Sequence, residues 1–360
     1  MRILIFCHSL VSDWNHGNAH FLRGITAELM RRGHDVHVYE PAESWSRCNL
    51  EAEYGQWPIV QFHRRYPCLE STRYDAAIDL EATLKDADLV LVHEWNEPDL
   101  VARIGRHRAE HDHYRLLFHD THHRSVTAPD AMAAYDLRHY DGVLAFGETV
   151  RDIYLQRGWT KQAWTWHEAA DTKVFRPLPN RGYAGDVVWI GNWGDDERSD
   201  TLRRFLFGPV AKLGLKATVY GVRYPPQARR ELRAAGIEYR GWLPNYRVPL
   251  IFSRYRMTVH VPRRPYLTHL PGVPTIRPFE ALACGTPLIC AEWEDGSIFR
   301  PGVDYLVAHD GDEMAQHMHD LLAHPDRAAA LGECGRQTVI HGHTCVHRVD
   351  ELLAIYHSLD

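Results

Sequence analysis

The chain has little cysteine chemistry to offer. Its seven cysteines, at 7, 48, 68, 284, 290, 334 and 345, form no C-x-x-C pair and are odd in number. That argues against a disulfide framework and a structural zinc site. Several lie in apolar, strand-like runs, where reduced thiols pack as small hydrophobes. Long apolar runs are also missing; the longest are strand-sized, too short for a transmembrane helix. Met1-Arg2 leads straight into Ile3-Leu4-Ile5-Phe6-Cys7, too short for a signal-peptide core, so a cytoplasmic location is expected. No excess of basic charge stands out. The 41 Lys and Arg face 47 Asp and Glu, mixed along the chain for a net charge of −6, and no RNP-type or zinc-finger signature occurs. No nucleic-acid partner is expected. There is no internal repeat, no low-complexity tract, and no G-x-G-x-x-G after the first strand, which removes the main support for a nicotinamide dehydrogenase.

What is present is a globular composition, 45% hydrophobic over 360 residues, long enough for two domains with separate cores. The 25 histidines are many for this length and scattered, apart from His119-Asp-Thr-His-His123 and His341-Gly-His343. No helical H-x-x-x-H or Cys–His framework is read among these histidines, so no metal site is expected.

The first forty residues read as a βαβ unit. Ile3–Cys7 is a buried strand, a polar loop follows, and the next helix buries Leu22, Ile25 and Leu29 at spacings of three and four. Arg31 and Arg32 fill its last turn and Gly33 stops it. Further strands are expected at Val36–Tyr39, Leu89–Val92, Arg115–Phe118 and Gly142–Phe146. After the Pro- and Gly-rich stretch Phe175–Gly185, a credible linker, a second series is expected at Val187–Gly191, Ala217–Tyr220, Met257–Val261 and Leu288–Cys290. Helix-length segments separate them. One late helix carries Met314, Met318, Leu321 and Leu322, and the last carries Val346, Val349, Leu353 and Tyr356. Strands alternating with helices imply an α/β fold with doubly wound parallel sheets. The expected organisation is an N-terminal Rossmann-like domain over 1–178, a C-terminal one over 185–343, and a final helix over 344–360 packing back on the first. Such a pair would enclose a cleft at the carboxyl ends of its strands.

Five places can carry chemistry. Gly17-Asn18 precedes a helix, where backbone N–H groups can approach a phosphate or a sugar. A simple capped helix start explains the pair equally well. In Arg115-Leu-Leu-Phe-His-Asp-Thr-His-His123 a buried strand gives way at once to titratable groups on the edge that faces a ligand in a parallel sheet. His119, Asp120 and His122 are therefore candidate acids or bases. Gly191-Asn-Trp-Gly-Asp-Asp-Glu-Arg198 follows the first strand of the second half. Its acidic run suits the start of the next helix and would repel a diphosphate unless turned away. Arg263 and Arg264 sit in a Pro-bounded loop, placed either to neutralise a leaving diphosphate or as ordinary surface arginines. Last comes Thr275-Ile-Arg-Pro-Phe-Glu-Ala-Leu-Ala-Cys-Gly-Thr-Pro-Leu-Ile289. Pro278 suits a first helical turn, Gly285 a C′ stop, and Pro287 forbids continuation. Arg277 and Glu280, three apart, share one face near the helix N-terminus, a natural seat for phosphate beside a carboxylate able to grip sugar hydroxyls.

This last stretch resembles the donor-site signature of retaining GT-B glycosyltransferases, and its Arg-Pro-Phe-Glu form resembles the CgeB-like (spore-maturation type) branch. Gly191-Asn-Trp-Gly194, the Asp-Thr-His continuation after His119, Asp171-Thr-Lys-Val-Phe-Arg-Pro177 and His343-Thr-Cys-Val-His-Arg348 are similar to the same branch, in order along nearly the whole chain. The resemblance implies a GT-B fold and a glycosyltransferase of the hexosyltransferase type, metal-independent and retaining. It would use a UDP-, GDP- or dTDP-linked sugar as co-substrate, no further cofactor, and a small-molecule, glycan or protein acceptor. By the same resemblance Glu280 binds the ribose, His119 contacts the sugar, and Arg198 holds the diphosphate with Arg277 and Arg263. Asn192 replaces the other base of the usual basic pair as a backbone contact, and Gly17 touches donor or acceptor. One departure is clear. Many relatives carry an earlier Glu eight positions before the second, and here that position is Gly272. A sugar-nucleotide epimerase of the same architecture and a silent GT-B binding scaffold stay open as alternatives.

Overall fold

The computed structural model describes residues 1–293 and 298–359. The chain divides into two compact units: Met1–Glu168 together with the residues from Cys345 on, and Ala169–Thr344.

The first unit is built on a seven-stranded sheet in the order β3-β2-β1-β4-β5-β6-β7. Its strands are β1 Arg2–Phe6, β2 Asp35–Pro41, β3 Thr72–Tyr74, β4 Leu89–His93, β5 Arg115–Asp120, β6 Gly142–Ala145 and β7 Ala163–Thr165. Every pairing is parallel. The chain therefore leaves β1 in one direction and returns on its other side at β4, so the strand order reverses between these two. Ligands of such sheets bind at that reversal, outside the carboxyl ends of the strands. The first crossover is the helix Ala19–Arg31, whose Leu22, Ile25 and Leu29 are buried. Gly33 follows at φ +83°, a left-handed stop that costs glycine little. The last helix, Cys345–Ser358, packs against this one, with Arg32 Nη1 donating to Asp350 Oδ1 at 2.6 Å and Nη2 to the Val346 carbonyl at 3.1 Å.

The second unit repeats the plan with six parallel strands in the order β10-β9-β8-β11-β12-β13. They are β8 Gly185–Ile190, β9 Ala217–Tyr220, β10 Ile237–Tyr239, β11 Tyr255–His260, β12 Leu288–Ala291 and β13 Leu306–Ala308. Val187, Trp189, Met257, Val259 and Ile289 from the strands meet Leu206, Val210, Met314, Met318 and Leu331 from the helices in one core. A sheet covered on both faces needs apolar residues on both sides of each strand, which is why these strands read as continuous hydrophobic runs. Each such side chain contributes about 1.5–3 kcal/mol on burial. The order reverses here between β8 and β11.

Candidate active site

In the first unit three neighbouring strands, β1, β4 and β5, deliver titratable groups at their carboxyl ends. His8 and His16 follow β1, His93 and Glu94 close β4, and His119 and Asp120 close β5, all buried. The parallel register sets His93 directly beside His119, with ring centroids 5.2 Å apart. His119 is also packed edge-on against Trp166 at 4.8 Å, and its Nε2 makes no hydrogen bond. Burial pushes His119 down to about 3 and His8 to about 4, and lowers His16 and His93 as well. At neutral pH these imidazoles are uncharged. They can donate or accept a hydrogen bond but cannot titrate there as a base. The loop between β1 and its helix is held by the buried Arg23, which donates to the carbonyls of Leu10 and Val11, both at 2.8 Å, and pairs with Asp13 at 2.9 Å.

Asp120 is fixed from both sides: its Oδ1 accepts the His122 N–H at 3.0 Å and its Oδ2 the Tyr154 hydroxyl at 2.9 Å. Against it lies the carboxyl of Glu94, whose Oε1 accepts from Thr121 N at 2.9 Å while Arg124 stands 3.9 Å from Oε2. Burial first, and the charge of Asp120 next, raise Glu94 well above the usual carboxylate range. Two carboxyls buried together cannot both ionise, so Glu94 holds the proton they share. Of the three expected acid–base candidates, His119 is a neutral imidazole in an aromatic nest and Asp120 is locked in a hydrogen-bonded pair. Only His122 is partly exposed, against Trp95 at 5.2 Å. Gly17 lies exposed in the turn before Ala19, and the Asn18 side chain donates to Glu168 Oε1 at 2.8 Å.

In the second unit the loop after β8 and the end of β11 carry the cations. Arg198 lies with its guanidinium carbon 5.4 Å from the centroid of the Trp189 ring, and its buried Nε has no hydrogen-bond partner. Among the described residues no carboxylate pairs with it. Burial, then the neighbouring Arg263, pull its affinity for the proton down to about 9, still high enough to keep it a cation at neutral pH. Arg263 is itself bonded to Glu197 Oε2 at 2.7 Å and to Asn192 Oδ1 at 3.3 Å. Asn192 thus meets this group through its side chain. The loop is held from below: a Cβ on Gly221, just after β9, would fall 1.9 Å from the Gly191 carbonyl, so only glycine permits the two loops to touch. The acidic run of this loop is turned to structural use, Glu197 on Arg263 and Asp195 on Arg223 at 2.9 Å.

The helix Ile276–Ala283 brings Arg277 and Glu280 together as their spacing requires, with Arg277 Nη1 donating to Glu280 Oε2. Glu280 is fully buried, and its Oε1 also accepts from Asn245 Nδ2 at 2.7 Å. The helix stops at Gly285, φ +65°. Beside this pair His260 closes β11. Its Nε2 lies 3.2 Å from the Thr275 hydroxyl and its buried Nδ1 has no partner. Burial, then Arg198 and Arg277, push His260 to about 3. His260 therefore lies in the field of both arginines and links the Arg198–Arg263 group to the Arg277–Glu280 pair.

The second unit thus gathers Arg198, Asn192, Arg263, Arg277 and Glu280 around one sheet edge, while Gly17, His119, Asp120 and His122 belong to the edge of the first. Glu94, His93, His260 and Asn245 were not anticipated. Glu94 carried the same signal as Asp120, a polar residue ending a buried strand in Val92-His93-Glu94; Asn245 carried none. The expectation of no metal rests on reading no helical H-x-x-x-H among the histidines and overlooks the one in His107-Arg-Ala-Glu-His111. Among the described residues, one group of histidine and carboxylate side chains converges closely enough for an ion, and it includes that pair: Glu81, His107 and His111.

Residues 198–354 match the model of a family described as glycosyl transferase-like. No curated protein matches the sequence. Among solved structures, the fold is similar to sucrose-phosphate synthase from Thermosynechococcus elongatus, at 16% identity and TM-score 0.67 over 100% of this chain and 99% of that one. It is similar to Anabaena HepE in complex with UDP-glucose, at 13% identity and TM-score 0.68 over 99% and 100%. It is also similar to an alpha-glucosyltransferase in complex with UDP and a DNA 13-mer, at 12% identity and TM-score 0.70 over 99% of both chains. No helix among the described residues is long and apolar enough to cross a membrane. Two parallel α/β sheets of seven and six strands, matched over essentially their whole length by these structures, make this the GT-B fold of glycosyltransferases.

Proposed function

We propose that the chain is a glycosyltransferase that moves a sugar from a nucleotide-sugar donor to an acceptor, within the CgeB-like branch. The observation that carries this reading is the set of cations at the edge of the second sheet, above all Arg198, a half-buried side chain whose Nε is buried without a hydrogen-bond partner and which pairs with no carboxylate among the described residues. A buried, unneutralised cation costs stability, and a bound anion offsets that cost. Arg198 and Arg263 hold the diphosphate and stabilise the charge that develops as it leaves. Arg277 adds to them, aimed by its bond to Glu280. The nucleotide ribose falls to Glu280, whose carboxylate is held ready by Arg277 and Asn245. Electrostatic assistance of this kind needs no metal. The first unit's edge takes the sugar or the acceptor: neutral His119 as a hydrogen-bonding group, and His122, the accessible imidazole, as the group that can exchange a proton. Retention follows from the resemblance of the donor-site signature. UDP-sugars are the first donors to try, since the Anabaena HepE and alpha-glucosyltransferase structures hold UDP-glucose and UDP.

The test is a thermal-shift screen of UDP-, GDP- and dTDP-linked sugars, followed by assay of free nucleotide with and without candidate acceptors. Nucleotide release that depends on the acceptor is expected. Sugar interconversion without nucleotide release would make the protein an epimerase.

A further inference from the structure

A second polar cluster lies on the far side of the first unit. The helix Pro98–Glu110 starts beyond the carboxyl end of β4 and runs back along the sheet, so its last turn lies toward the edge where the strands begin. Arg108 there bonds Asp141, the residue just before β6, at 3.2 Å. His107 and His111 are four apart, one helical turn, and their rings stack with centroids 4.2 Å apart. Glu81, on the short helix Leu80–Leu84, reaches across with Oε2 3.7 Å from His107 Nε2 and 3.8 Å from His111 Nε2. We propose that Glu81, His107 and His111 form a binding site for a divalent transition-metal ion of the zinc class, held by two imidazole Nε2 atoms and one carboxylate oxygen.

The hydrogen bonds on the other ring nitrogens carry the argument. His111 Nδ1 lies 3.0 Å from the His107 carbonyl, which can only accept. The proton is therefore on Nδ1, and Nε2 presents a lone pair. His107 Nδ1 lies 3.0 Å from the Tyr114 hydroxyl, whose other acceptor, the Ile104 carbonyl, stands at 3.5 Å. With Tyr114 turned toward that carbonyl it accepts from His107 Nδ1, and Nε2 presents a lone pair; this is the tautomer an ion would select. His107 is 6% exposed, and its Nε2 is fully buried with no hydrogen-bond partner. In that tautomer two lone pairs and a carboxylate oxygen converge within 4.8 Å of one another with no proton between them. That arrangement repels itself unless a cation occupies its centre. Ligating histidines commonly donate their second N–H to a carbonyl or another oxygen, as both do here. A tetrahedral zinc site with ligand bonds of about 2.0–2.2 Å has ligand atoms about 3.3 Å apart. Glu81 Oε2, 3.7 and 3.8 Å from the two Nε2 atoms, needs to close by about half an ångström, and the two rings, with all three atoms within 4.8 Å, draw together around the ion. A fourth position is left for water. The neighbouring His113 does not compete, since its Nε2 is engaged with the Leu84 carbonyl at 3.2 Å. An ion there would tie the helix Leu80–Leu84 to the helix Pro98–Glu110, far from the polar edge at His93 and His119.

Calorimetric titration of the chelator-treated full chain with Zn²⁺ tests the site, with the unfolding midpoint measured alongside. One equivalent is expected to bind and to raise the midpoint. His111→Ala and Glu81→Gln alter half-buried and exposed groups, and each is expected to weaken binding roughly ten- to hundredfold and abolish the Zn²⁺-dependent shift. His341→Ala, an exposed histidine elsewhere, is the control and should change neither. Equal Zn²⁺ affinity in wild type, His111→Ala and Glu81→Gln would overturn the proposal, as would wild type binding no Zn²⁺ at all. A midpoint lowered in His111→Ala by the same amount with and without Zn²⁺ would overturn it too, marking the cluster as helix packing.

Discussion

Arg198 lies over the face of Trp189, its guanidinium carbon 5.4 Å from the ring centroid, and the charge that acts on it most strongly is Arg263, with Glu197, itself bonded to Arg263, a weaker opposing one. Cation and ring attract, but the gain of about 0.5–2 kcal/mol does not cover the cost of burying an unpaired charge. Arg198→Met keeps most of the contact with the ring and removes the charge. We expect the variant to be as stable as wild type or more so in urea denaturation, while its affinity for a nucleoside diphosphate falls about ten- to hundredfold, the value of one or two charge-assisted hydrogen bonds. A purely structural Arg198 would reverse the pattern: stability lost, affinity kept.

Glu280 is the opposite kind of buried charge, satisfied on both oxygens by Arg277 and Asn245. Glu280→Ala strands both partners and should cost about 3–5 kcal/mol in stability. Glu280→Gln keeps the volume and an acceptor oxygen, so it should fold and still bind nucleotide more weakly than wild type. Unchanged calorimetric affinity in the Gln variant would remove Glu280 from the donor site.

Glu94 carries the shared proton of its pair with Asp120, so at neutral pH it is already an uncharged hydrogen-bonding group. Glu94→Gln is close to an isostere of that state and should change stability by less than about 1 kcal/mol, whereas Glu94→Ala leaves Thr121 N unpaired and costs about 1–3 kcal/mol. Thermal or urea denaturation at pH 7 separates the two. A Gln variant as unstable as the Ala variant would mean that Glu94 is ionised.

The buried imidazoles set an acid limit. His8 is held at about 4, and His119 and His260 at about 3. Unfolding returns each to an ordinary value near 6.5, so the unfolded chain takes up protons that the folded one refuses. The stability they contribute is present above pH 6.5 and is lost as pH falls toward 4, by about 1.4 kcal/mol per pH unit for each histidine. Glu94 acts in the other direction, because its raised value favours the folded state at low pH. Because His8, His16, His93, His119 and His260 are all held low and outnumber the raised carboxyls Glu94, Asp120 and Glu351, urea midpoints should fall steeply between about pH 6.5 and pH 5. A flat profile there would contradict the neutral, buried state of these rings.

The sheets were legible because most inner strands are buried apolar runs, the half-buried β2 being read from its alternating Val36 and Val38; all nine expected strands are present, with ends shifted by no more than two residues. The four that went unseen are β3, β7, β10 and β13, each three residues long and each at a sheet edge. An edge strand pairs on one side only and needs no continuous apolar run, so Thr72–Tyr74 or Ala163–Thr165 carries too little pattern to read. The donor-side residues were legible for a related reason, since Arg277 and Glu280 lie one helical turn apart and their meeting is local. Asn245 reaches Glu280 from 35 residues away, and His260 joins two arginine groups only through the fold. Glu94 and the pair His107 and His111 were within reach of the same rules and needed them applied to every strand end and every helix.

The measurement that bears most directly on the glycosyltransferase reading is calorimetric titration of the full chain and its Arg198→Met variant with UDP, GDP and dTDP. The account predicts that wild type binds at least one of the three at a single site per chain, and that the variant binds it about tenfold more weakly or worse. Wild type binding none of them, or the variant binding as tightly as wild type, would contradict it.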